Sequence, residues 1–151
     1  MVKIENVMWL TDFSEDSVYA FGYAKTLAEL FGTRLYLLHV IENPTSSIYG
    51  RVEGDYLAME ANAREKAWQW LRAYGQRELL DYGNHEALVR EGEILTKILE
   101  AAEEKRVGTI VMGTHGRTGL AHLLLGSVAE KVIRSATCPV YVVRSPNRGS
   151  R

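Results

Sequence analysis

The chain of 151 residues holds a single cysteine, Cys138. A disulfide within the chain is thereby excluded, and so is a zinc site built from several thiolates. The solitary thiol points to a reducing compartment. Charge of one sign is also missing: 18 Lys+Arg stand against 19 Asp+Glu, a formal net charge of −1. Nucleic acid or an anionic membrane asks for a basic surface, which that balance does not supply. No stretch reaches the ~18 consecutive apolar residues that cross a bilayer. The opening Met1-Val2-Lys3-Ile4-Glu5-Asn6 puts charge and an amide where a signal peptide has its apolar core. The expectation is a cytoplasmic protein with neither membrane nor nucleic acid as partner. Two phosphate-binding signatures are absent as well. Without G-x-x-x-x-G-K-[ST], the lysine and magnesium-binding hydroxyl of a Walker loop are lacking. Without G-x-G-x-x-G after the first strand, a dinucleotide fold for NAD or a flavin is disfavoured. The turn Thr11-Asp12-Phe13-Ser14 also lacks the glycine-rich loop that an ATP pyrophosphatase would carry there.

What is present is ordinary for one compact domain. Such domains cluster around 100–150 residues. A chain of this length buries roughly 70% of its unfolded surface without a metal or disulfide staple. Apolar runs recur along it. Val7-Met8-Trp9-Leu10 closes a run that begins near Ile4, and Leu35–Ile41 forms the second. Ala87-Leu88-Val89 is a weaker third, Val107–Met112 a fourth and Val140–Val143 a fifth. Consecutive apolar positions suit strands covered on both faces.

Helix signals separate these runs. Ser14 followed by Glu15 and Asp16 is an N-cap with an acidic first turn. Val18, Phe21, Ala24, Ala28 and Phe31 make one apolar face, and Gly32 is a stop. A second helix is expected over about Asp55–Leu80, with Trp70, Leu71 and Tyr74 inward, and a third over about Ile94–Lys105. A fourth starts at Ser127. The alternation βαβαβαβαβ implies an α/β fold, a mostly parallel sheet between two helical layers. One domain is expected over 1–144. Ser145 to Arg151 is polar and reads as a frayed tail, and Glu42 to Gly54 as a long loop.

The segment after the fourth strand carries the chemistry. It reads Met112-Gly113-Thr114-His115-Gly116-Arg117-Thr118-Gly119, and later Gly126-Ser127-Val128. Glycines at a strand end permit positive φ and close approach of a ligand to backbone, so several N–H groups can aim at one anion. The helix opening at Ser127 adds unpaired N–H groups and partial positive charge. Together they describe a polyphosphate cradle. A plainer reading stands beside it. Ser127-Val128-Ala129-Glu130 matches a capping box, and the glycines can simply shape a turn. Asp12 ends the first strand, where open parallel sheets bind ligands. It can meet a ribose hydroxyl or adenine amine, or it can accept hydrogen bonds within its own turn.

In order along the chain, these residues resemble the universal stress protein (UspA-like) family. The family pattern G-x2-G-x9-G-[ST] falls on Gly113, Gly116, Gly126 and Ser127, with Thr11-Asp12-Phe13-Ser14, Leu38-His39-Val40 and Cys138-Pro139-Val140 also matching. The resemblance implies an open five-stranded parallel sheet of order 3-2-1-4-5, like that of adenine-nucleotide hydrolases. It implies ATP binding, with or without Mg2+, and homodimers joined through the fifth strand. By position, Thr11, Asp12 and Val40 would surround adenine and ribose, and Met112 and Gly113 would lie along the nucleotide. Gly116, Arg117, Gly126, Ser127 and Val128 would hold the phosphates. The family often has proline before the Thr-Asp pair, where this chain has Leu10.

The fifth strand, Val140-Tyr141-Val142-Val143, is apolar on both faces yet would lie at a sheet edge, which invites pairing with a second copy. Phosphoryl transfer needs metal, charge stabilisation and a positioned nucleophile. Asp12, His115 and Arg117 suffice for at most a weak ATPase. His39 reads as a satisfied core histidine. The reading is an ATP-binding regulator of the stress response acting on another, unidentified protein. A slow ATPase and a nucleotide-independent dimeric scaffold are its alternatives.

Overall fold

The computed structural model describes residues 3–42, 53–116 and 125–146. Along the chain run β1 (Asn6–Leu10), α1 (Glu15–Phe31), β2 (Arg34–Ile41), α2 (Glu53–Glu78) and β3 (His85–Glu91). They are followed by α3 (Ile94–Glu104), β4 (Thr109–Gly113), α4 (Ser127–Ser135) and β5 (Val140–Val143). The strands form one sheet in the order β3-β2-β1-β4-β5, and every neighbouring pair is parallel. The chain therefore reverses direction across the sheet between β1 and β4, as expected.

Strand periodicity divides the core into two layers. Val7 and Trp9 of β1, Leu35 and Leu37 of β2 and Val111 of β4 pack beneath α1 and α2, against Phe21, Ala24, Ala28, Leu71 and Tyr74. Met8, Leu10, Tyr36, Leu38, Ile110 and Met112 face the other way, toward Ile98 and Ala101 of α3 and Ala129 and Val132 of α4. Both faces are covered, which explains the unbroken apolar runs.

The first helix begins as its sequence dictates. Ser14 is extended, and its hydroxyl accepts from the Ser17 N–H at 3.3 Å. It ends at Gly32, whose φ of 62° lets its N–H reach the Ala28 and Glu29 carbonyls. Phe31, expected on the inner face, is exposed, and Ala20 takes a buried place instead.

Other boundaries shift for local reasons. β3 spans seven residues rather than three, because charged and apolar positions mix along an edge strand. β4 begins at Thr109, not Val107. Gly108 is pressed against the chain before β1, where a Cβ would stand 2.7 Å from the Glu5 nitrogen. α2 starts at Glu53, inside the predicted loop; residues 43–52 of that loop lie outside the described residues. Ser145, placed in the tail by sequence, is buried, and 147–151 lie outside the described residues. Among the described residues, no helix is long and apolar enough to cross a membrane.

Candidate functional site

The carboxyl ends of β1, β2 and β4 open into a cavity of about 1080 Å3. Parallel sheets place ligands at this end, where strand order reverses. Thr11, Asp12, Val40, Met112, Gly113, Gly116, Gly126, Ser127 and Val128 all line it. Arg117 and the residues up to 124 lie outside the described residues. The bond pattern divides the lining residues into those that shape the walls and those left available to a ligand.

Asp12 stands at the corner between β1 and the β4 exit. One carboxylate oxygen accepts from the Ser14 N–H at 3.0 Å, the turn-stabilising role. The other points at Gly116, where an added Cβ would lie 2.6 Å away. The turn-stabilising reading of this aspartate holds for the first oxygen, and the second lies beside the Gly116 bend at the cavity. Thr11 is different. Its hydroxyl accepts from the Phe13 N–H at 3.0 Å and shares a hydrogen bond with the Ser17 hydroxyl at 2.9 Å. It builds the turn and ties α1 to β1.

The glycines also differ from expectation. Neither Gly113, Gly116 nor Gly126 has a positive φ. Each is required by close approach instead. A Cβ on Gly113 would meet the Asp16 backbone at 2.9 Å, and one on Gly126 would meet the Thr114 carbonyl at 2.9 Å. These two let protein pack against protein; only Gly116 opens toward a side chain lining the cavity.

Ser127, a helix cap by its sequence pattern, does not cap α4. The N-cap is Gly126, with no side-chain cap hydrogen bond, and Ser127 is the first helical residue. Glu130 pairs with Arg134 rather than closing a capping box. The Gly126 N–H is spent on the Thr114 carbonyl at 2.7 Å. The following amides, of Ser127, Val128 and Ala129, have no intrahelical partner, as at any helix start. Ser127 is exposed at the cavity, so its hydroxyl and these amides make an anion-favouring end.

Several lining residues escape a motif search. Phe13 has φ 66°, rare for a bulky side chain and costing about 1–2 kcal/mol. Its ring stacks on His39 at 4.2 Å and leans on Trp70 at 4.5 Å. His39 Nδ1 lies 2.8 Å from the Thr11 carbonyl, so it is satisfied while lining the cavity. Trp70 stacks on Tyr74 at 4.7 Å, and burial together with the Glu78 charge pushes the Tyr74 phenol up to about 12. The i, i+3, i+4 spacing of Ala63, Lys66, Ala67 and Trp70 is the signal that α2 supplies this wall. His115, weighed as a base, lines the cavity but is buried, with its Nδ1 directed at protein groups. Its Nδ1 sits 2.9 Å from the Thr114 hydroxyl and 3.6 Å from the buried Asp16 carboxylate. No group of three or more His, Cys, Asp or Glu placed to hold a metal occurs among the described residues.

Comparison with known proteins agrees with this architecture. The model of the universal stress protein family matches residues 3–144. The chain is similar to the universal stress protein MJ0531 of Methanocaldococcus jannaschii, 36% identical over 141 residues, covering 91% of this chain and 81% of that one. Its structure is similar to that of MJ0577 from the same organism, with a TM-score of 0.84 and 32% identity over 97% of this chain and 99% of that one. It also shares the fold of a universal stress protein from Archaeoglobus fulgidus solved in complex with dAMP, at a TM-score of 0.60 and 22% identity over 94% and 98% of the two chains. With the family model matched over residues 3–144, the chain belongs to the universal stress protein family.

Proposed function

We propose that the protein binds an adenine nucleotide, ATP in the first instance, and acts as a nucleotide-dependent regulator in the cytoplasm. One observation carries the reading. The amides at the start of α4, which have no intrahelical partner, and the Gly116 bend border one cavity, with Asp12 at the same corner. Phosphates would lie on the amides of Ser127, Val128 and Ala129 and on the Ser127 hydroxyl, where helix-end charge favours anions. Gly116 would allow them close to the backbone. Adenine and ribose would occupy the wall of Val40, Met112 and Asp12, the apolar side with a few polar groups typical of such sites. Mg2+, if it accompanies ATP, would be held by the phosphates and water, since no group of three or more His, Cys, Asp or Glu is placed to hold a metal among the described residues. Arg117 completes the proposed set by its sequence position. A relative of the same fold solved with dAMP accords with the ligand class.

The protein should release adenine nucleotide on denaturation, read by mass spectrometry, or take up Mg-ATP in calorimetry. An empty protein that also ignores Mg-ATP rejects the proposal.

A homodimer through β5 belongs to the same reading, favoured by the contrast between the sheet edges. The β3 edge carries Glu86, Arg90 and Glu91, charges that discourage pairing. The β5 edge carries none. Tyr141 is 48% exposed, continuing through Tyr23 at 6.2 Å to Tyr19 at 6.0 Å, with Ile133 exposed on α4. A second copy would cover this strip of aromatic and aliphatic surface.

A further inference from the structure

The phosphate end of the cavity is built on backbone, and backbone donors act only where something fixes them. The carboxylate of Asp16 lies in the first turn of α1, a position that usually faces water, yet only 3% of this residue is exposed. Behind Gly116, His115 is 8% exposed, with its Nδ1 3.6 Å from Asp16 Oδ2 and 2.9 Å from the Thr114 hydroxyl. Thr114 is in turn a junction. Its N–H donates to the Val143 carbonyl at 3.1 Å, and its own carbonyl accepts the Gly126 N–H at 2.7 Å. The first turn of α1 is itself pinned to β1, because the Trp9 indole N–H donates to the Ser17 carbonyl at 2.8 Å. A continuous set of contacts thus runs from β1 through Asp16 and His115 to Thr114 and on to the start of α4.

We propose that Asp16 and His115 are positioning residues for phosphate binding: their buried contact fixes the Thr114 carbonyl, and through it the place of the α4 amides relative to Asp12 and Gly116. The inference rests on the nucleotide reading for its ligand. Three physical points support it. A carboxylate is rarely buried without a function or a partner that offsets its desolvation. The imidazole Nδ1 is directed at protein groups, the Thr114 hydroxyl and the Asp16 carboxylate, so its work is on the loop. Neither glycine at this junction tolerates a Cβ, which shows how closely α1, the bend and α4 are fitted: an added atom on Gly113 meets Asp16, and one on Gly126 comes within 3.3 Å of the His115 Cα.

The test separates phosphate from nucleoside. Affinities for Mg-ATP and for adenosine are measured on the wild type, His115→Leu, His115→Asn and Asp16→Ala, with amide hydrogen exchange on the ligand-free proteins. His115→Leu keeps bulk but removes the polar atom; His115→Asn restores one near the place of Nδ1. The expected result for His115→Leu and Asp16→Ala is an ATP affinity lowered on the order of tenfold to a hundredfold. Adenosine affinity stays unchanged, exchange quickens at 114–116 and 126–129, and His115→Asn recovers most of the loss. A merely structural role would lower both ligands together. Parallel losses, or unchanged exchange at those amides, overturn the proposal. If His115→Leu does not fold, Asp16→Ala decides by the same criteria. If the wild type binds neither ligand, the nucleotide reading fails, and exchange alone decides whether this contact holds the α4 start in place.

Discussion

At the scale of single residues, the three motif glycines do different jobs, and the difference is measurable. Gly113→Ala forces a methyl against the Asp16 backbone, which cannot swing aside, so it should destabilise the fold by about 1–3 kcal/mol in urea unfolding. Gly126→Ala meets the Thr114 carbonyl and should behave alike. Among the described residues, Gly116→Ala meets only the carboxylate end of Asp12. It should leave stability within about 1 kcal/mol while weakening Mg-ATP roughly tenfold, because it displaces the Asp12 carboxylate at that corner. Equal effects of the three substitutions on stability would contradict this division. Sequence alone cannot make the distinction. A G-x2-G-x9-G-[ST] spacing says where a chain must lack a Cβ, but not whether a helix or a ligand occupies the space. Ser127 shows the same limit: a capping box on paper, yet Gly126 takes the cap position and Glu130 turns to Arg134.

At the scale of elements, local signals were legible wherever the chain's own neighbours decide the outcome. Ser14 caps α1 as its spacing indicates, and Ser14→Ala should cost about 1 kcal/mol, read as a lower urea midpoint. The α3 cap was not legible, because glutamate is an uncommon cap. Glu93 accepts from the Thr96 N–H at 2.7 Å and hydroxyl at 2.6 Å, and from the Leu95 N–H at 3.2 Å. The Thr96 hydroxyl bond, followed by the backbone bonds, holds the Glu93 carboxyl below its usual range. A carboxyl whose folded pKa is depressed adds stability above its unfolded pKa and loses it as pH falls through the folded value. Glu93→Gln should therefore be less stable than wild type at neutral pH, and the gap should close as pH falls from the ordinary glutamate value of about 4.3 through the lowered folded one. A pH-independent gap would refute the capping role. The α2 register was legible only in part. Trp70, Leu71 and Tyr74 point inward as read, but Lys66 and Trp70 as cavity walls emerge only once α2 is laid over β2 and β3. The pair Arg64–Glu91 fastens it there, and its hydrogen bond holds the Glu91 carboxyl low.

At the scale of the whole molecule, alternating apolar runs and the right-handed crossover rule led to the parallel α/β sheet, and the family resemblance supplied the strand order that the structure has. The cavity follows from that order, since the chain leaves the paired strands β1 and β4 toward opposite faces of the sheet, to α1 and to α4. The β5 edge invites a partner, and Val142→Lys, which sets a charge on the strand, should shift the protein toward monomer in sedimentation equilibrium. A variant that sediments as the wild type does would place any association elsewhere. What stayed illegible is long-range. Asp16 reads from sequence as an acidic first-turn residue for the helix dipole, and only the packing of α1 on β4 buries it beside His115.

The central claim is that amides at the start of α4, opposite Asp12 and Gly116, take the phosphates of an adenine nucleotide. An amide-resolved NMR titration of the 15N-labelled protein with Mg-ATP addresses it most directly. The account predicts saturable shifts concentrated at Gly116, Ser127, Val128 and Ala129, with Gly108 at the opposite end of the sheet unmoved. Shifts that spare the α4 amides, or none at millimolar ATP, would contradict it.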